Sequence, residues 1–319
     1  MRLNRRALLA APALLPGLAR AAAWPNKPVR IVVAYPPGGP VDTQARLIAP
    51  RLEARWGQPV VIENRPGNAG NVGALAVARA APDGHTLLIC ASSHAINPGM
   101  YRNMPFDTAR DFAPCSLLTA GAFILTVHPS VPARTVPAFI AYAKANPDKL
   151  NYSSAGSGTG NHLAAELFKQ MAGVEMVHIP FSGAAPANTA VISGQAPVMF
   201  NNMISAMQHM PDSRMFGLGV TTLTRARALP QVPAIAEFLP GYDVSGWYGL
   251  LTTAGTPAAI TEEIHQAASA AMAVPAVTER IEALGLEVAH MGPAQFSSFI
   301  TAEMVKWARV VERAKAQVD

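Results

Sequence analysis

The sequence predicts an α/β fold. Short apolar runs rich in β-branched residues alternate with helical patterns along the chain, and clusters of glycine and proline separate them. The 319 residues, 50% hydrophobic and 14% charged, are enough to build one large or two medium cores. The same composition excludes disorder as the main state.

Taken in order, the first stretch stands outside the fold. Residues 1–23, MRLNRRALLAAPALLPGLARAAA, combine a basic start at Arg2, Arg5 and Arg6, an apolar run from Ala7 to Ala19 and a small-residue exit at Ala21, Ala22 and Ala23. That is the layout of a secretory signal peptide cut near Ala23, with an apolar part too short for a permanent bilayer span. The adjacent Arg5 and Arg6 leave both general and twin-arginine export open. Removal takes four of the 25 basic residues and none of the 20 acidic ones, so the precursor's +5 becomes 21 against 20, or +1. A mature chain this close to neutral has no electrostatic reason to take nucleic acid or an anionic membrane surface as partner. No later run reaches about 18 apolar residues, so a soluble exported product is expected. Cys90 and Cys115 are too few for a disulfide scaffold, and the sequence leaves their pairing open.

The mature chain then opens with a strand, Val29–Tyr35, a turn of prolines and glycines through Pro40, and a helix. In that helix Ala45, Leu47, Ile48, Leu52 and Trp56 recur at helical spacing, with Asp42 and Thr43 placed to cap it. Next come a strand at Val60–Glu63, a small-residue helix at Asn71–Ala81 and a buried strand at Thr86–Ala91. Further strands follow at Phe123–Val127, Leu150–Ser154, Val177–Pro180, Ala196–Phe200, Phe216–Thr221 and Trp247–Thr252. Helices are expected at Val136–Ala145, His162–Ala172, Pro186–Ser193, Ala258–Ala273 and Ala276–Leu284. A last helix, Ala294 to Lys315, puts Phe296, Ile300, Trp307 and Val311 on one stripe that must pack on a domain. Such alternation favours parallel strands with helical crossovers.

Two turns share one chemistry. Tyr35-Pro-Pro-Gly38-Gly39-Pro-Val41-Asp42 and Ser153-Ser-Ala155-Gly156-Ser157-Gly158-Thr159-Gly160 each leave a strand and open a helix. Their glycines let backbone approach a ligand, and the helix start beyond offers unpaired N–H groups at a positive dipole end. Neither turn contains Lys or Arg, so a carboxylate held by amides and by the Ser157 and Thr159 hydroxyls fits better than a polyphosphate. His162, in the first turn of the second helix, is placed either to face a ligand or to hydrogen-bond its own loop. Ser93, after an apolar strand, is placed to cap a helix or touch a ligand.

Other chemistries lack their residues. No Gly-Lys-Ser/Thr is present, Asn161 stands where a dinucleotide fingerprint needs its third glycine, and Ala155 stands where a nucleophile elbow needs its first. The eight histidines show no i, i+4 pair, and Asp42 is the one acid in either turn. Neither a metal nor a cofactor is expected, and no catalytic residue can be named. The Met199, Met203, Met207 and Met210 series reads as core packing.

The runs VRIVVAYPPGGPVDTQARLIAPRL, VVIENRPGNAGNVGA, APDGHTLLI, HAINP, LNYSSAGSGTGNHLAAELF, HIPFSGAAPA and GWYGLLTTAGTP, in this order from about residue 25 to the C-terminus, resemble the Bug family. These are the extracytoplasmic solute-binding receptors of tripartite tricarboxylate transporters. The resemblance implies a two-lobed periplasmic binding protein, a monomer, that encloses a small organic carboxylate between its lobes and delivers it to membrane permease subunits. It implies that the turns holding Tyr35, Gly38, Gly39, Val41 and Asp42 and Ala155, Gly156, Ser157, Gly158 and Thr159 face each other across the cleft. His178–Ala187, with Phe181, Ser182 and Gly183, and the Asn201–Asn202 pair would line the other side. Ser182, Asn201 and Pro40 depart from the lysine, aspartate and small residue common in the family, which leaves a more neutral pocket wall. The lobes are expected at residues 24–122 plus 222–319 and at 123–221, with hinge crossings near Leu125–Val127 and Val220–Thr222. A receptor feeding a membrane sensor kinase would use the same cleft, and an exported enzyme acting on a small carboxylate is the less favoured reading.

Overall fold

The computed structural model describes residues 24–147 and 149–318; the expected signal peptide lies outside the described residues. The chain begins with β1 (Val29–Val33), α1 (Pro40–Trp56), β2 (Val60–Asn64), α2 (Asn71–Ala78), β3 (Thr86–Ala91), α3 (Ser93–Met100) and β4 (Phe112–Val127). It continues through α4 (Val136–Ala145), β5 (Asn151–Ser154), α5 (Gly160–Ala172), β6 (Val177–Pro180), α6 (Ala184–Ile192), β7 (Val198–Asn202), α7 (Met203–His209) and β8 (Phe216–Val220). β9 (Ser245–Thr253), α8 (Ala258–Met272), α9 (Pro275–Ala283), β10 (Glu287–Met291) and α10 (Pro293–Ala314) complete it.

The opening strand shows how the sequence makes the first layer. Val29, Ile31 and Val33 pack against α1 and α8, while Val32 and Ala34, pointing the other way, pack against α2 and the start of α10. A strand covered on both faces needs a nearly unbroken apolar run, and VRIVVAY supplies it.

β4 is the element that joins the two halves of the molecule. Its residues 112–122 pair with β9, and Leu117, Thr119 and Ala120 pair with β10 on the other edge. Its residues 123–127 pair instead with β7 and β8. The strand order is β2-β1-β3-β9-β4-β7-β5-β6. The expected parallel pairing holds for β1 with β2 and β3, and for β5 with β6 and β7. Every ladder on β4, and the one between β3 and β9, is antiparallel, so the sheet is mixed. The expected strand at Phe123–Val127 is thus only the end of a longer one. Pro114 sits at a register shift where a proline is tolerated.

At the level of Phe123 one buried threonine fastens three passes of the chain. Phe123 N–H donates to Thr221 Oγ1 at 2.8 Å, and that hydroxyl donates to the Val244 carbonyl at 2.7 Å. The Thr221 N–H and C=O pair with Phe123 and Val244, at 2.9 Å each. Between these passes Val232 and Ala234 share a cluster with Ile124, Met203 and Val220, and the Tyr242 hydroxyl donates to the Ala164 carbonyl at 2.9 Å.

Helix α10 contributes to two cores. Phe296 and Ile300 lie with β3 and Trp247, whereas Trp307, Val310 and Val311 join Phe168, Tyr152 and Phe200. All four residues of the expected stripe are buried. Cys90 and Cys115 are buried and unbridged.

Candidate functional site

β1 and β5 both end at the same cavity, and α1 and α5 both begin there. The cavity measures about 1310 Å³. Tyr35, Gly38, Gly39 and Val41 of the first turn line it, as do Ala155, Gly156, Ser157 and Thr159 of the second. Ser93 and the Phe181, Ser182 and Gly183 segment complete the expected wall. The sequence motifs therefore converge in space although some 120 residues separate the two turns.

Four expected residues stand behind this wall rather than in it, and each has a definite partner or neighbour. Asp42 is not the N-cap of α1; Gly39 holds that position, with Pro40 as the first helical residue. The nearly buried Asp42 carboxylate accepts from Gly38 N–H at 2.9 Å, Arg46 Nε at 2.8 Å and Asn64 Nδ2 at 2.9 Å. Burial acts to raise its pKa, but these hydrogen bonds and the Arg46 charge outweigh that and hold it below the ordinary carboxylate value. Asp42 is thus a brace for the first turn.

The second turn has a different brace. His162 Nδ1 accepts from Gly158 N–H at 3.2 Å. Its ring stacks on His178 at a centroid separation of 4.0 Å, and His178 stacks on Tyr152 at 4.8 Å. His178 Nε2 is 2.6 Å from Ser154 Oγ, which accepts from Gly156 N–H at 3.1 Å. Under the stack, the Tyr152 hydroxyl donates to Glu166 at 2.5 Å, and Lys169 donates to the same carboxylate at 2.9 Å. Burial lowers the pKa of His162 to about 4, with a smaller push from Lys169, and burial together with His162 lowers that of His178 to about 3. Both rings are neutral near neutral pH, and His162 is the acceptor for Gly158 N–H.

Gly158, at φ +81°, faces α3: a Cβ there would lie 3.0 Å from Asn97 Oδ1. Asn201 is fully buried and its Nδ2 donates to Asn188 Oδ1 at 2.5 Å, while the neighbouring Asn202 and Asn188 itself reach the cavity. His94 lies in an apolar nest against Phe106 and Phe112, where burial lowers its pKa to about 4.

These internal bonds decide which amides remain. Gly38, Gly156 and Gly158 spend theirs on side chains, and Gly39 spends its own on Pro36. The N–H groups of Val41 and Ser157, both lining residues, find no acceptor among the described residues. Around them the Tyr35 hydroxyl donates to the Ala69 carbonyl at 3.2 Å and is hydrogen-bonded to Ser93. Burial raises the Tyr35 pKa, partly offset by Ser93, so the hydroxyl stays neutral. Across the cleft, the Tyr101 hydroxyl donates to the Ser157 carbonyl at 3.4 Å. Tyr101, Phe123, Trp247 and the Asn68–Gly70 segment line the cavity and were not singled out from sequence. The glycines of NRPGNAGN were the available signal for the last of these.

A family model described as the tripartite tricarboxylate transporter family receptor, TctC, matches residues 44–315. The chain belongs to the TctC family. This TctC chain is 30% identical over 298 residues to the protein BugT of Bordetella pertussis, covering 92% of this chain and 91% of that one. Among solved structures it is similar to R. palustris Rpa4515 with adipate, at 33% identity and a TM-score of 0.87, covering 92% of this chain and 98% of that one. It is also similar to MatC (Rpa3494) from Rhodopseudomonas palustris with bound malate, at 31% identity and a TM-score of 0.84, covering 90% and 100% of the two chains. The Bug resemblance and the two-lobed periplasmic binding protein fold are thereby established for this TctC chain.

Proposed function

We propose that the protein is an exported receptor that captures a small organic carboxylate in its cleft and hands it to membrane permease subunits of a tripartite tricarboxylate-type transporter. One observation carries the reading: the N-termini of α1 and α5 converge on a single cavity whose described lining contains no Asp or Glu. Two positive helix ends with unspent amides at Val41 and Ser157 suit one carboxylate between them. The Ser93, Ser157 and Thr159 side chains add hydroxyls. Adipate and malate in the similar structures support a carboxylate. Membership of a receptor family, together with the export-type start of the sequence, supports a periplasmic location.

We divide the chain into a first lobe, residues 24–122 and 222–319, and a second, 123–221, with Val232 to Tyr242 packed on the second. In this division the two turns sit on opposite lobes, and closure about the Phe123–Thr221 crossing brings them together around the solute. The protein acts by binding, as a monomer, without turnover. The test is a thermal-shift screen of mature protein, denatured and refolded to strip carried-over solute, against a broad carboxylate panel. Stabilisation by a subset of the panel is the expected result, and no response to any carboxylate overturns the proposal.

A further inference from the structure

Two glycines of the cavity are not explained by their backbone. Gly160, the first residue of α5, and Gly246 in β9 both line the cavity, and neither has a positive φ. What excludes a side chain at each is space. A Cβ on Gly160 would lie 2.6 Å from Phe123 Cζ and 2.9 Å from Ser92 Oγ. On Gly246 the three heavy atoms nearest to a Cβ all belong to the Phe123 ring, at 2.9, 3.3 and 3.4 Å. The tip of one ring therefore touches both the start of the helix that carries the second turn and a strand that pairs with the other part of β4.

Both sides of this contact are held. Phe123 N–H donates to Thr221 Oγ1 at 2.8 Å and its carbonyl accepts from Thr221 N–H at 2.9 Å, which fixes the root of the ring. Gly246 pairs with Gly121 of β4, and its neighbour Trp247 donates Nε1–H to Glu303 Oε2 at 3.1 Å. The same oxygen accepts from Trp307 Nε1 at 2.9 Å, so the β9 wall is tied to α10. Phe123 is only 4% exposed, so a solute meets little of its ring, and its influence on binding must come from where it holds α5.

We propose that Phe123 is a positioning residue for solute capture: its ring is a spacer that sets how closely the start of α5 approaches β9 and Ser92, and with it the gap between the Val41 and Ser157 amides that one carboxylate must bridge. This role rests on the carboxylate and two-lobe readings above and goes beyond them by naming what stops the closing motion. A ring is stiff and its contacts here are close-packed, so the spacer has a definite length. Leucine at position 123 keeps the apolar burial but lacks the atoms of the ring tip. With the tip gone, α5 settles nearer to β9 and the two amides no longer match the carboxylate. Gly246 offers the converse change, because alanine there returns a methyl group close to the vacated place.

The experiment is calorimetric titration of the stripped protein with straight-chain monoacids from acetate to octanoate and diacids from malonate to suberate, the tightest binder then being carried to the variants. Phe123→Leu is expected to bind that acid about tenfold more weakly. Gly246→Ala alone drives a methyl group into the ring, and it should weaken binding at least as much and lower the unfolding temperature. Combined, the two changes should return the affinity to within about threefold of the parent protein. A merely structural role would move the unfolding temperature and leave the affinities of the folded variants equal. Unchanged affinity in Phe123→Leu, or a loss that the added alanine does not restore, overturns the spacer role and leaves the carboxylate reading intact. Should Phe123→Leu alone fail to fold, the combined variant is set against Gly246→Ala: tighter binding by the combined variant supports the spacer, and equal binding overturns it. If neither series nor any other carboxylate binds the parent protein, both fall together.

Discussion

The two turns of the site do the same work with opposite materials. In the proposed reading each must spend the amides that would otherwise compete for the ligand and leave a few at the helix start. The first does so with a charge: Asp42 collects Gly38, Asn64 and Arg46, and the side chain of Arg46 is 54% exposed. The second does so with neutral rings buried beneath it, His162 on Gly158 and His178 on Ser154. A charged brace draws strength from its partners yet keeps one foot in water. A neutral one depends on being dry. The same backbone task can therefore carry two different sensitivities to pH and to loss of a partner.

Removing the second brace should do the most damage. With His162→Leu and His178→Leu combined, the Gly158 amide and the Ser154 hydroxyl lose their acceptor or partner in a buried place, and a loss of about 3 kcal/mol in stability is expected by urea unfolding. Asp42→Ala should cost less, about 2 kcal/mol, because Arg46 can turn to water while only Gly38 and Asn64 are stranded. Equal losses would mean that the two braces are not different in kind.

Acid should separate them further. Unfolded histidine takes up its proton near pH 6.5, but His162 and His178 resist protonation in the fold until about 4 and about 3. The unfolded chain thus binds more protons, and stability falls as pH drops from about 6.5 toward 4. The Asp42 contribution has the other signature: its pKa is depressed by folding, so its share persists through that window and is lost only at lower pH as the folded carboxyl protonates. In the double histidine variant the slope between pH 6.5 and 4 should flatten, and in Asp42→Ala it should remain. The smallest effect belongs to Gly39→Ala. Gly39 has φ −77° and only the Pro36 carbonyl at 3.4 Å from a built Cβ, so its stability should stay within about 0.5 kcal/mol, whereas Gly158→Ala forces a side chain into φ +81° against Asn97.

The sequence made the turns legible and their braces illegible, for one physical reason. Glycine runs after a strand announce a conformation, and periodicity announces the helix that follows. Asp42 after Gly-Gly-Pro reads as a cap, and His162 in a first helical turn reads equally as a ligand contact or as a partner of its own loop, the second of which holds. Which amide each accepts depends on how the turn folds back, and no local pattern records that. The fold shows the same divide. The expected strand Thr86–Ala91 and the helix at Val136–Ala145 match β3 and α4 in full, because apolar period alone defines them. The first part of β4 was hidden by Pro114 and Gly121, and β10, only half covered along Glu287–Met291, has too weak an alternation to stand out. Antiparallel pairing of β4 on both edges is a property of partners that lie far away in sequence.

Helix α10 belongs to two cores at once, and this bears on how long a captured molecule stays. A rotation about Thr221 that parts the turns must either bend a 22-residue helix or draw Trp307, Val310 and Val311 away from Phe168 and Tyr152. Exposing that surface is costly, since a fully buried tryptophan alone accounts for about 3 kcal/mol. Under the proposed closure, the residence time of the solute is governed partly by the packing of Trp307, Val310 and Val311, none of which lines the cavity, and is open to tuning there without any change to what the cleft recognises.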